Sequence, residues 1–77
     1  MNALTLPNAV VKKVINKDMT PIRAWREHLG LNQTEVARRL GVSQSAYAQQ
    51  EGKEPVRKAT REKIAQALGI AAEQLAV

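Results

Sequence analysis

The tightest constraint on how this chain can fold is a gap of three residues. Gly41-Val42-Ser43 separates two stretches, around 32–40 and 43–50, that each carry the marks of a short helix. Asn32 followed by Glu35 is a capping-box pattern, with Val36, Ala37 and Leu40 on one face behind it. Ser43 is a good N-cap for the next segment. A three-residue connection does not let two such helices lie side by side as a long hairpin. Helices of about eight residues joined this way must cross steeply. The residues suit that crossing: Ala37 is small enough for close approach, Gly41 can adopt the turn, Val42 can seal the corner, and Tyr47 faces inward one turn after Ser43.

The same punctuation recurs along the chain. Leu29-Gly30, Leu40-Gly41 and Leu68-Gly69 each place a glycine just beyond an apolar helical stripe, where a left-handed residue closes a helix. Thr20-Pro21 reads as N-cap and first helical residue, with Ile22, Trp25 and Leu29 at three- and four-residue spacing. Glu51-Gly52-Lys53-Glu54-Pro55 breaks the helix that starts at Ser43. A longer helix over about 57–68 carries Thr60, Ile64 and Leu68 one turn apart, and 70–75 permits a last short one. No alternating strand pattern occurs, so the expected fold is all-α, with five short helices over 20–76.

At 77 residues, with one Trp, one Tyr and no Phe, the core must be small and built from Leu, Ile, Val and Ala. Residues 1–19 read as an N-terminal extension to a domain covering 20–77. Within it, Thr5-Leu6-Pro7 suits an extended segment, and Asn8 suits the cap of a helix with Val10, Val11, Val14 and Ile15 on one side. That face would pack on the domain, join a partner or a second copy, or remain disordered.

Several function classes are disfavoured. The absence of cysteine removes disulfides and thiolate metal sites, and a single His argues against a zinc site. No apolar run nears the roughly 20 residues that span a bilayer, and no signal-peptide core is present, so a cytoplasmic location is expected. An enzyme fits poorly: His28 and Tyr47 fall on different helices without an acidic relay, Glu27 and Glu35 read as helix surface and cap, and no phosphate-binding glycine loop occurs. No cofactor is implied. The net charge of +5 makes polyanions attractive partners.

The helix after Ser43 carries the clearest functional signal. Its outward residues, Gln44, Ser45, Ala48 and Gln49, are short or amide-bearing, where a merely solvated helix prefers Lys and Glu. In a helix-turn-helix unit the first helix braces on the DNA backbone and the second puts polar side chains into the major groove.

The run NQTEVARRLGVSQSAYAQQEGKE, with IRAWREHLGL before it and KIAQALGI after it, resembles the Cro and phage-repressor type of helix-turn-helix domain, the XRE family. The resemblance covers Pro21 to about Leu75. It implies a five-helix, lambda-repressor-like DNA-binding domain and a dimer on duplex DNA. It places Gln44 where an amide often grips adenine, with Ser45 and Gln49 at the other common base-facing sites. Gln33 matches a residue that bonds phosphate and braces Gln44, its plainer role being helix-start support. Asn32 and the free amides of that helix end are also placed for phosphate. Lys53 falls in the following backbone-contacting loop, with Arg57 and Lys58 beside it. Arg26 and Glu51 match a structural ion pair, the alternative being two independent surface charges. Arg38 and Arg39 form a basic pair, of which Arg39 is the weaker candidate for DNA.

Two positions depart from the family pattern. Gln50 and Arg61 stand where apolar side chains are usual, so Gln50 is expected to be bonded at the domain edge or to leave its space to Tyr47. The valine-rich start and PIRAWREHLGL are also similar to short antitoxins of bacterial toxin–antitoxin pairs, which repress their operon and hold a toxin. The expectation is thus a bacterial or phage transcriptional repressor, dimeric on an inverted repeat, with a prophage regulator and a toxin-holding protein module as alternatives.

Overall fold

In a computed structural model, which describes residues 7–53 and 56–75, the chain forms five α-helices and a closing 3-10 turn. They are α1 (Asn8–Asn16), α2 (Pro21–His28), α3 (Gln33–Leu40), α4 (Gln44–Gly52), α5 (Lys58–Leu68) and the 3-10 turn Ala72–Leu75. Thr5, Leu6, Glu54 and Pro55, to which the sequence assigned an extended start and part of a helix break, lie outside the described residues.

The capping residues account for the boundaries. The Thr20 hydroxyl accepts from the Arg23 N–H, the Asn32 carboxamide oxygen from Glu35, and the Ser43 hydroxyl from Ala46. Each satisfies an N–H that the first helical turn leaves open. At the other ends, Leu29-Gly30-Leu31, Leu40-Gly41-Val42 and Leu68-Gly69-Ile70 repeat one device. The residue after each glycine donates back five positions, Leu31 to Arg26, Val42 to Ala37 and Ile70 to Ala65, at 3.0–3.1 Å. This is the Schellman closure, and it requires a left-handed residue at its centre. Gly41 supplies it at φ +73°.

Several boundaries differ from expectation. Asn8 is the first residue of α1 and Pro7 its N-cap, without a side-chain bond, because the proline ring carries no acceptor. α4 continues through Glu51 to Gly52, since Glu51 is held inside the fold, and the break begins at Lys53. Arg57 is the N-cap of α5 instead of its first turn. The last element is a single 3-10 turn.

The core joins Ile22, Ala24 and Trp25 of α2, Val36 and Ala37 of α3, Tyr47 of α4, Ile64, Ala65 and Leu68 of α5, Leu75, and Val10 of α1. Each large side chain among these gives about 1.5–3 kcal/mol for leaving water. α1 packs on α2 and puts Val10 fully out of solvent, with Val14 against the cluster. Its apolar residues do not share one buried face, because Ile15 is 72% exposed. Val42 does not seal the corner either: it is nearly half exposed, and the turn is held by its backbone N–H. Leu29 likewise ends α2 on the surface. The Trp25 indole N–H donates to the Gln74 carbonyl at 3.0 Å, pinning the 3-10 turn to α2.

Candidate nucleic-acid interface

α3 and α4 meet at the Gly41–Ser43 turn, and the surface they share grows out of a buried polar cluster. At its centre is Glu51, 3% exposed. Its Oε1 accepts from Arg26 Nη2 at 3.1 Å and from Gln33 Nε2 at 3.0 Å. Its Oε2 accepts from Arg26 Nε and from the Tyr47 hydroxyl, the latter at 2.7 Å. Arg26 therefore binds the carboxylate with a two-pronged fork, the strong geometry for such a pair. The remaining Arg26 prong donates to the Leu31 carbonyl at 2.8 Å, and the backbone of Leu31 donates in return to the Arg26 carbonyl. Arg26 thus clamps the end of its own helix as well as α4. Thr20 adds a third tie, its hydroxyl donating to the Glu51 carbonyl at 2.7 Å.

These contacts set the ionisation of the cluster. Burial alone would raise the Glu51 carboxyl, but hydrogen bonds from Arg26, Gln33 and Tyr47, with the Arg26 charge, outweigh it and hold the pKa below the ordinary value. Arg26 is raised by its hydrogen bond to Glu51. Tyr47 is pushed upward, first by burial and then by donating to the Glu51 carboxylate. The buried centre of the cluster is one carboxylate, one guanidinium and neutral donors, and Arg26 Nη2 also lies 3.9 Å from the Glu27 carboxylate.

From it, one hydrogen bond leads outward. Gln33, half-buried at the start of α3, accepts on its Oε1 from Gln44 Nε2, and Gln44 is exposed at the start of α4. Gln33 and Gln44 are therefore in direct contact. Ser45 and Gln49 are exposed on the same helix, while Ala48 is half-buried in a cleft of about 240 Å³ with Thr20, Arg23 and Gln33. Asn32 is exposed with its oxygen committed to the cap. Lys53, Arg57 and Lys58 are exposed on either side of the α4–α5 connection. Gln50 is neither buried nor bonded through its side chain among the described residues. It is exposed on the rim of a groove of about 230 Å³ between α4 and α5, and Tyr47 occupies the interior. Arg61 is half-buried, with no partner for its Nε among the described residues.

Arg38 and Arg39 both bond Glu35, which they hold below its ordinary carboxylate pKa, Arg38 first. Arg39 also donates to the Ala67 carbonyl at 3.0 Å, so it clasps α3 to the end of α5. The sequence reading missed three members of the cluster: the Thr20 hydroxyl, the Leu31 carbonyl and the Tyr47 hydroxyl. Tyr47 had a legible signal, since it stands four residues before Glu51 on one helix.

The α3–α4 pair, the left-handed turn between them and the uncharged exposed face of α4 define a helix-turn-helix domain. A family model described as helix-turn-helix matches residues 22–51. No curated protein and no solved structure matches the chain. No group of three or more potential metal ligands occurs among the described residues. No described helix is long and apolar enough to cross a membrane.

Proposed function

We propose that the protein is a sequence-specific duplex DNA-binding repressor that acts by occupying its site. The observation that carries this reading is the Gln44–Gln33 hydrogen bond at the exposed junction of the two helices. It holds an amide ready at the start of the second helix of a helix-turn-helix pair, where major-groove readers place base contacts. In this reading Gln44, Ser45 and Gln49 face bases. Asn32, Gln33, Lys53, Arg57 and Lys58 face phosphate, and two copies bind an inverted repeat with half-sites about one helical turn apart. The net charge of +5 supports the backbone part of the binding.

The test is enrichment from a randomised duplex library, followed by titration of the enriched duplex and a scrambled one. The wild type should enrich an inverted repeat. Gln44→Ala should lose about 5- to 150-fold of the discrimination, the worth of one bidentate amide contact, while keeping weak binding to the scrambled duplex. If the wild type enriches nothing, the reading fails. Equal losses on both duplexes would make Gln44 a phosphate or folding residue.

A second reading rests on Ile15, whose side chain α1 holds out in solvent beside Lys12. It supports a protein partner for α1, as in an antitoxin that represses its operon and holds a toxin. Co-purification of a second protein with the wild type, lost in Ile15→Ser, is the outcome it requires.

A further inference from the structure

We infer that Glu51, although buried two turns from Gln44, determines which base Gln44 reads, by fixing the orientation of the Gln33 amide. The inference rests on the DNA-reading role proposed above for Gln44.

Ionised Glu51 is acceptor-only, and every group around it is a donor: Arg26 Nε and Nη2, the Tyr47 hydroxyl and Gln33. Gln33 must therefore turn its NH2 group inward. The two prongs of a carboxamide differ, so its oxygen necessarily faces away from Glu51, towards Gln44. Gln44 can meet that oxygen only with its own NH2, and this is the bond observed. The polarity of each link follows from the one before it, and the starting point is Glu51.

The consequence appears at the surface. One Gln44 N–H is spent on Gln33, so its second N–H and its oxygen remain to face outward. A donor beside an acceptor is the complement of adenine, which offers N7 as acceptor and N6–H₂ as donor in the major groove. Guanine offers two acceptors, N7 and O6, and leaves the Gln44 oxygen opposed by another oxygen. A free glutamine can reach the same pose but also the flipped one, because its terminal torsion is broad and nearly two-fold, so bracing sharpens the preference by removing the alternative. At 3% exposure Glu51 cannot do this by touching DNA. It is a positioning residue, and Gln33 is its intermediary.

The readout is the ratio of adenine to guanine enriched at the one site position whose preference disappears in Gln44→Ala, using a duplex library randomised over its central segment. Glu51→Gln preserves size but can present either a donor or an acceptor to Gln33, so both polarities of the chain become populated. Gln33→Met removes the chain at a half-buried position that tolerates the substitution in size. Both should lower the adenine-to-guanine ratio by roughly threefold or more, within the range open to a bidentate contact. Tyr47→Phe removes a different donor to the same carboxylate and leaves the Gln33 link in place. It should lower stability while retaining the ratio, which separates positioning from mere support of the fold.

The inference is overturned if Gln33→Met and folded Glu51→Gln both keep the wild-type ratio. It is equally overturned if Tyr47→Phe lowers the ratio as much as they do. Should Glu51→Gln fail to fold, Gln33→Met against Tyr47→Phe decides. A wild type that enriches no sequence defeats the DNA-reading role itself, a result distinct from enrichment with an unmoved ratio.

Discussion

Removing Arg26 should cost this domain a large part of its stability. In Arg26→Ala, Glu51 keeps its bonds from Gln33 and Tyr47 but loses its countercharge at a side chain only 4% exposed. Stranding a buried charge in this way costs about 3–5 kcal/mol, whereas breaking an exposed pair costs about 0–1 kcal/mol. Arg26 itself is 11% exposed, which places the pair in the first class. A chain of 77 residues has, at about 0.05–0.15 kcal/mol per residue, roughly 4–12 kcal/mol in all. The variant should therefore melt roughly 12–40 °C lower, from about 4–8 °C per kcal/mol in a domain of this size. Urea titration followed by far-UV circular dichroism at neutral pH measures the loss directly. Adding Glu51→Gln to Arg26→Ala discharges the stranded carboxylate and should recover part of it. A loss below about 1 kcal/mol would place the pair in the exposed class and refute the reasoning. Strict additivity in the double variant would show that the cost never came from an unpaired charge.

The same cluster predicts the pH range of stability. Glu51 ionises below its ordinary value of 4.5 in the folded state, so its contribution is complete above that value and disappears as pH falls through the lower folded pKa. Tyr47 is raised above its ordinary 10.0, so its contribution is complete below that value and is lost as pH rises beyond it. Urea midpoints should decline at both extremes, with the alkaline decline reduced in Tyr47→Phe; an unaltered alkaline limb in that variant would contradict the assignment. At the turn, Gly41→Ala meets no atom within 4 Å, so its cost is purely that of a left-handed backbone. About 1–2 kcal/mol for the conformation, less about 0.4–1 kcal/mol from a stiffer unfolded chain, gives a loss near 1 kcal/mol. Gly41→Asn should lose less, and equal losses would mean that something other than φ is responsible.

Much of this fold was legible because its helix ends are marked by local chemistry. Thr20-Pro21, Asn32 and Ser43 announce helix starts, and Leu-Gly pairs announce the ends, since caps and left-handed closures depend on only a few neighbouring residues. The exposed row Gln44, Ser45 and Gln49 was legible for the same reason. What escaped was decided across the fold. Nothing local indicates that Val10 is buried while Ile15 on the same helix is exposed, because α2 makes that choice. The apolar character of Val42 pointed to burial, yet the corner closes through its backbone. Gln50 could be flagged as unusual, but its exposure follows from Tyr47 filling the interior beneath it. The Arg26–Glu51 pair came from family resemblance; the Leu31 carbonyl and the Thr20 hydroxyl that complete it depend on how α2 meets α4.

The indole of Trp25 gives the protein a spectroscopic label of its own. As the sole tryptophan in the chain, it alone supplies tryptophan emission, and its N–H is tied to the Gln74 carbonyl while its ring meets His28 edge-on. Its fluorescence accordingly reports whether the C-terminal turn is docked on α2, and it is remote in bonding from the Gln33–Gln44 link. A change in emission on mixing with DNA would therefore signal rearrangement behind the domain, whereas silent binding would mean that the scaffold meets its ligand already formed.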